Sequence, residues 1–316
     1  DLYDNVARDT GIANLLYKTQ PGKKDDYGIR FRRIFLTYDY DISSKLSARF
    51  RLEANDESLN VNGTIGVFLK DAYVEWKEIF EGAKLTVGMQ PTFAFDLTEL
   101  LYGYRSLDKT MLDLRGIIAS RDIAVSLTGQ VDKEGMFNYG LMFGNNSGNS
   151  PESNKFKRIA GRIYVKPIRN LHIAVYGDLR HQANSMDQLC FSGLIGYMEK
   201  GEYSLGLEAF SQSNNDSYQK NGKSATQNQL GFSIFGTYNI MPELALTARY
   251  DMFDNNIDTD VKGDSRNYIV AGLDWKVDKK FSIIPNIQYE TYEQIPNSTW
   301  EIKPSLTARI TFVYNY

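Results

Sequence analysis

The chain has 316 residues, a formal net charge of −3, 42% hydrophobic residues and a mean hydropathy of −0.40. That charge excludes a strongly basic nucleic-acid binder, so no nucleic-acid partner is expected, and no run of 18 or more apolar residues is available to cross a membrane as a helix. A single cysteine, Cys190, and two histidines, His172 and His181, exclude an internal disulfide and a cysteine- or histidine-rich zinc centre.

The chain starts at Asp1 rather than Met, and this reads as a secreted chain whose signal peptide has been removed. The first clear strand is Gly28 to Tyr40. From Leu46 to Asn55, alternation sets Leu46, Ala48, Phe50, Leu52 and Ala54 on one face and Ser47, Arg49, Arg51, Glu53 and Asn55 on the other. The same period of two returns far along the chain. Leu171, Ile173, Val175 and Leu179 oppose His172, Ala174, Tyr176, Asp178 and Arg180; Leu244, Leu246, Ala248, Tyr250 and Met252 oppose Ala245, Thr247, Arg249, Asp251 and Phe253. A sandwich has central and edge strands with uneven patterns, whereas a closed barrel makes all strands equivalent. The uniform alternation therefore predicts an all-β fold, a transmembrane antiparallel β-barrel forming a single domain over residues 1–316.

Connections alternate in length. Short ones are Asp41 to Ser44, Glu78 to Gly82, Val131 to Gly135, Pro167 to Asn170, Glu199 to Gly201, Ile240 to Glu243 and Asp278 to Lys280. Long polar ones are expected at Glu57 to Gly66, Pro91 to Ser120, Asn145 to Phe156, Gln182 to Gln188, Ser213 to Gln227, Asn255 to Arg266 and Glu293 to Ser298. Short periplasmic turns and long extracellular loops are the asymmetry of outer-membrane barrels. Fifteen strands fit between these connections, and an even number needs one more upward strand, placed at Thr10 to Lys18. The total is about sixteen.

The longest connection, Pro91 to Ser120, carries too many apolar residues for a floppy surface loop, among them Phe93, Phe95, Leu101, Leu107, Met111 and Ile117. It is expected to fold into the lumen and offer Asp96, Glu99, Arg105, Asp108, Lys109, Asp113 and Arg115 as pore-lining charges; cover of the rim or a subunit contact is the other reading. The inward strand faces add Arg33, Arg49, Arg51, Glu53, Arg162, Arg180 and Arg249, together with Arg309, Asp71, Glu208 and Glu290. Rings of charge set pore selectivity, and the slight excess of arginine favours anions, although many of these groups should simply pair across strands. Arg49 and Arg51 stand out as two inward guanidiniums on one strand.

The segments Phe31 to Tyr40 and Lys45 to Ala54, with Lys70-Asp71-Ala72-Tyr73-Val74-Glu75-Trp76, Val87-Gly88-Met89-Gln90-Pro91 and Tyr104-Arg105-Ser106-Leu107, resemble porins of the Bacteroidetes and Chlorobi type, relatives of the phosphate-selective porin O and P family. The resemblance implies a sixteen-stranded, commonly homotrimeric porin in the bacterial outer membrane, among lipids and lipopolysaccharide. It implies a constricting loop and passive diffusion of small polar or charged solutes; the mild anion preference rests on the arginine excess of the inward faces. Phosphate selectivity does not follow, because the lysine clusters that mark phosphate-specific members are missing. The ending Phe312 to Tyr316 resembles the aromatic signal read by the outer-membrane assembly machinery.

Catalysis is not expected, since only His172 and His181 are available and no serine-containing motif such as G-x-S-x-G appears. The competing reading is a structural scaffold that anchors a partner protein in an outer-membrane complex. No cofactor is expected. Asp254, Asp258, Asp260 and Asp264 offer hard oxygen donors that would suit calcium, with a solvated acidic loop as the simpler reading.

Overall fold

The computed structural model describes residues 1–7, 24–220, 222–258, 262–297, 299 and 302–315, and the statements below concern these. They form one antiparallel sheet of seventeen strands. The first nine are β1 (Leu2–Ala7), β2 (Tyr27–Ile29), β3 (Arg33–Asp41), β4 (Leu46–Leu59), β5 (Ile65–Phe80), β6 (Ala83–Pro91), β7 (Arg121–Gln130), β8 (Phe137–Gly144) and β9 (Arg158–Val165). The remainder are β10 (Leu171–Arg180), β11 (Gln188–Glu199), β12 (Tyr203–Lys220), β13 (Lys223–Met241), β14 (Leu244–Asp254), β15 (Ser265–Asp278), β16 (Phe281–Tyr292) and β17 (Ser305–Tyr314). From β3 to β17 each strand pairs with the next. The chain ends then meet: β17 pairs with β1, placing Arg309 opposite Tyr3, and β1 pairs with β2. The ladder is interrupted at one place, Arg30 to Arg32, between β2 and β3.

The two faces of the sheet invert the usual rule of burial. Along β14, Ala245, Thr247, Arg249, Asp251 and Phe253 are buried while Leu246, Tyr250 and Met252 are exposed. Along β10 the buried set is His172, Ala174, Tyr176, Asp178 and Arg180. Exposed side chains are aliphatic and aromatic, and buried ones are largely charged or polar. In water such a surface would leave a large apolar area unburied. In lipid it is the favourable arrangement, because the paired strands satisfy most of each other's backbone groups and the outward residues match hydrocarbon. No helix among the described residues is long and apolar enough to cross a membrane.

Buried charges on the inner face are tolerable because they meet each other. Arg158 donates to Asp178 Oδ2 at 2.9 Å from Nε and lies 3.6 Å from Asp122, and Tyr176 donates to the same Asp178 oxygen at 2.7 Å. Removing one partner from such a group strands a charge in a poorly solvated place.

Several sequence expectations change. A strand at Leu2–Ala7, which was not expected, pairs with β17 and β2; the expected strand at Thr10 to Lys18 lies outside the described residues. The expected strand Gly28 to Tyr40 is two strands. The expected loop Ser213 to Gln227 is mostly the tip of a β12–β13 hairpin, whose ladder continues past a bulge at Asn214 to the pair Lys220–Lys223. An amide and hydroxyl network (Gln212, Asn214, Gln229 and Ser213 with Asn228) holds this extension, so a polar sequence that reads as a loop forms strand. Likewise Glu57 to Gly66 contracts to the connection 60–64.

Candidate functional site

Between β6 and β7 the chain leaves the sheet and forms two short helices, α1 (Asp96–Tyr102) and α2 (Met111–Leu114). Gly103, at φ 73°, ends α1 in the left-handed region, with its N–H on Glu99 O. The apolar residues of this segment find their partners on the inner face of the sheet. Leu101 and Leu107 are 1% and 0% exposed, packed with Phe235, Tyr268, Val270 and Ile284. Two glycines make room for them: a Cβ on Gly196 would lie 2.5 Å from Leu101 Cδ1, and one on Gly272 would lie 3.2 Å from Leu107 Cδ1. Polar bonds complete the docking. Thr98 Oγ1 donates to Glu208 at 2.6 Å, Tyr104 Oη to Asp274 at 2.9 Å and Tyr268 Oη to Asp108 at 2.5 Å.

An alternating stack of guanidiniums and rings ties the segment to β14 and β15. Arg266 and Arg115 lie over Phe253 at 5.7 and 5.6 Å from the ring centre, Arg115 and Arg249 over Tyr268 at 5.8 and 5.5 Å, and Arg249 over Tyr102 at 5.1 Å. Arg115 also donates to Glu290 at 2.6 Å. Each cation–π contact is worth about 0.5–2 kcal/mol depending on its desolvation, so the stack makes the segment a fixed part of the wall.

What remains open is a cavity of about 750 Å³ between this segment, β2 to β5 and β14 to β17. Nine basic residues line it, Arg30, Arg32, Arg33, Lys70, Arg105, Lys109, Arg115, Arg266 and Arg309, against six acidic ones, Glu53, Asp56, Glu57, Asp108, Asp113 and Glu290, a net of three positive charges. Of the residues singled out from sequence, Arg33, Glu53, Arg105, Asp108, Lys109, Asp113, Arg115, Glu290 and Arg309 meet here. The others lie elsewhere. Arg49 is held by Asp39 through two bonds of 2.6 and 2.9 Å, and Arg51 by Thr37 at 2.8 Å and Asp71 at 3.4 Å, so both guanidiniums are engaged with their own wall. Arg162 pairs with Asp96, and Arg180 with Gln212. Arg249 is buried against Asp251 at 3.1 Å. Glu99 grips Arg105 at 2.5 Å without lining the cavity.

Four basic residues of the cavity, Arg30, Arg32, Lys70 and Arg266, were not singled out from sequence. The break between β2 and β3 explains two of them. Regular alternation would send the neighbours Arg32 and Arg33 to opposite faces, yet both line the cavity: Arg33 lies 3.1 Å from Glu53, and Arg32 donates to Leu107 O at 2.5 Å and lies 3.5 Å from Asp108. Arg309 was expected to point inward. It is 8% exposed, and its side chain makes no ion pair or hydrogen bond among the described residues.

The docked segment carries opposed carboxylates. Burial pushes Glu99 above the usual carboxylate range despite Arg105 beside it. Burial acts the same way on Asp108, but Arg32, Arg249 and the Tyr268 hydroxyl outweigh it and hold its pKa below the usual range. Of the acidic loop considered for calcium, Asp258 binds Tyr218 and Lys220, Asp254 caps Asn256, and Asp260 lies outside the described residues. No group of three potential metal-binding side chains occurs among the described residues. His172 Nδ1 faces Tyr164 Oη at 2.7 Å and His181 faces Asp187 at 3.2 Å.

No protein-family model matches the chain, and no curated protein matches it. Solved structures do. The chain is similar to the outer membrane channel DcaP of Acinetobacter baumannii, with 9% identity, TM-score 0.66 and coverage of 100% of this chain and 93% of that one. It is also similar to an anion-selective porin from Comamonas acidovorans, with 13% identity, TM-score 0.65 and 92% of each chain covered. OmpT, an outer membrane protein of Vibrio cholerae, in its trimer form, shows 14% identity and TM-score 0.60 over 92% of this chain and 93% of that one. At these identities the likeness shows the fold alone, an antiparallel β-barrel.

Proposed function

We propose that this chain is an outer-membrane porin through which small polar or charged solutes diffuse passively, with a mild preference for anions. The observation that carries the reading is the cavity between a docked segment and the facing wall, lined by nine basic and six acidic side chains. Such a passage offers water and fixed charge to a solute while the outer surface matches lipid. On this reading β2 and β3 act as one interrupted strand, which closes a sixteen-stranded barrel, and segment 92–120 is its constriction. The likeness to an anion-selective porin supports the preference, and the trimeric form of a second neighbour supports assembly as a homotrimer. The sequence segments similar to the phosphate-selective porin O and P family agree with a relative that lacks its phosphate specificity.

Reconstitution of the purified, folded protein in planar bilayers tests the reading. Steady currents, with a reversal potential displaced toward that of chloride under a potassium chloride gradient, are expected. The scaffold alternative draws on how fully segment 92–120 covers the inner face of β11 to β16, and it requires a folded barrel that passes no current.

A further inference from the structure

We infer that the cavity is a binding site for a small sugar acid, a hydroxylated organic monoanion such as a uronate. The inference rests on the channel reading and names its solute. Three observations combine. Arg309 is a guanidinium nine-tenths buried with no partner among the described residues, lining the cavity beside Arg32 and Arg30. A buried charge left without a counter-charge is costly, and a planar carboxylate is the group that a guanidinium fork meets with two parallel hydrogen bonds.

The second observation is what surrounds this cation. Most of the lining arginines are already matched, Arg30 to Asp56, Arg33 to Glu53, Arg105 to Asp113 and Arg115 to Glu290. A compact, doubly charged anion would face six carboxylates with only a small positive excess to hold it. A monoanion needs only one free guanidinium. The carboxylates then serve as acceptors, since an ionised carboxylate has about four lone-pair sites and a single ion pair leaves some unused. Glu57, 70% exposed, and Asp113, 11% exposed, are such acceptors at the cavity wall, suited to hydroxyl donors. The third observation is the half-buried ring of Phe68, with Lys70 5.8 Å from its centre, which gives the apolar face of a pyranose ring a flat surface. A cavity of about 750 Å³ falls within the range of small-molecule sites, roughly 300–1,000 Å³.

Titration calorimetry on the folded, detergent-solubilised protein tests this with three probes. Glucuronate carries charge and hydroxyls, acetate charge alone, and glucose hydroxyls alone. Glucuronate is expected to bind at least tenfold more tightly than either. Arg309→Gln should cost glucuronate about tenfold and leave glucose unchanged, and Phe68→Ala should weaken glucuronate several-fold and leave acetate unchanged. Acetate or glucose matching glucuronate overturns the inference, as does an Arg309→Gln barrel, shown folded by its heat-dependent gel mobility, that binds glucuronate normally. The same preparation in bilayers separates the two readings. Glucuronate preference in a silent barrel removes the channel and keeps the site; an open pore without that preference removes the site and keeps the channel.

Discussion

Replacing Arg309 by glutamate changes the charge of the cavity by two units at a position that has no ion-pair partner to orphan. A volume of 750 Å³ corresponds to a sphere about 5.6 Å in radius, so an ion at its centre lies about 6 Å from the lining charges. At that distance one unit charge contributes about 0.7 kcal/mol in water, and 0.1 M salt screens this to about 0.4 kcal/mol. Two units therefore raise the anion's energy by about 0.8 kcal/mol and lower the cation's by the same amount. Since about 1.4 kcal/mol is a factor of ten, the anion-to-cation permeability ratio should fall about tenfold. Arg309→Gln should fall about half as far on a logarithmic scale. Reversal potentials under a salt gradient read both, and Lys279→Glu, the same charge change in a turn between β15 and β16, should leave them unmoved. An Arg309→Glu channel with the selectivity of the parent would refute the idea that this cavity lies on the ion path.

Arg158→Met strands Asp178 and Asp122 and should cost about 3–5 kcal/mol, seen as a lower urea midpoint without a change in selectivity. Gly196→Val fills the hole that receives Leu101; overpacking of this kind costs about 1–3 kcal/mol, and the undocked α1 should make single-channel currents noisier. Burial, with Asp254 and Glu293 nearby, pushes Asp264 up to about 6. Because its folded pKa is raised above that of an unfolded aspartate, the folded form gains a proton first as pH falls through 6. Stability should thus rise by about 1 kcal/mol between pH 7 and pH 5, and Asp264→Asn should abolish that rise. Replacing residues 96–114 by a short glycine-serine linker should raise conductance several-fold, and unchanged conductance would count against a constricting role.

The alternation that exposes Leu246, Tyr250 and Met252 and buries Thr247, Arg249 and Asp251 is legible in the sequence, because a strand's period of two is local. The packing demand of the segment around Leu101, Leu107 and Met111 is legible for the same reason, since apolar side chains in a long connection must find cover. What resists reading depends on register. Arg49 opposite Asp39, and Arg51 opposite Thr37, are set by the β3–β4 pairing, so their engagement follows from strand alignment rather than from the residues themselves. The break at Arg30 to Arg32 leaves no signal of its own, because an arginine-rich strand and an arginine-rich interruption read alike. Leu2–Ala7 alternates poorly, yet pairing with β17 and β2 on its two sides supplies the hydrogen bonds that its side chains do not advertise.

The central claim is an open, weakly anion-preferring pore, and single-channel recording of the folded protein under a salt gradient tests it most directly. The account predicts stable open currents with a reversal potential shifted toward chloride; a verified folded barrel that passes no current, or one that prefers potassium, contradicts it.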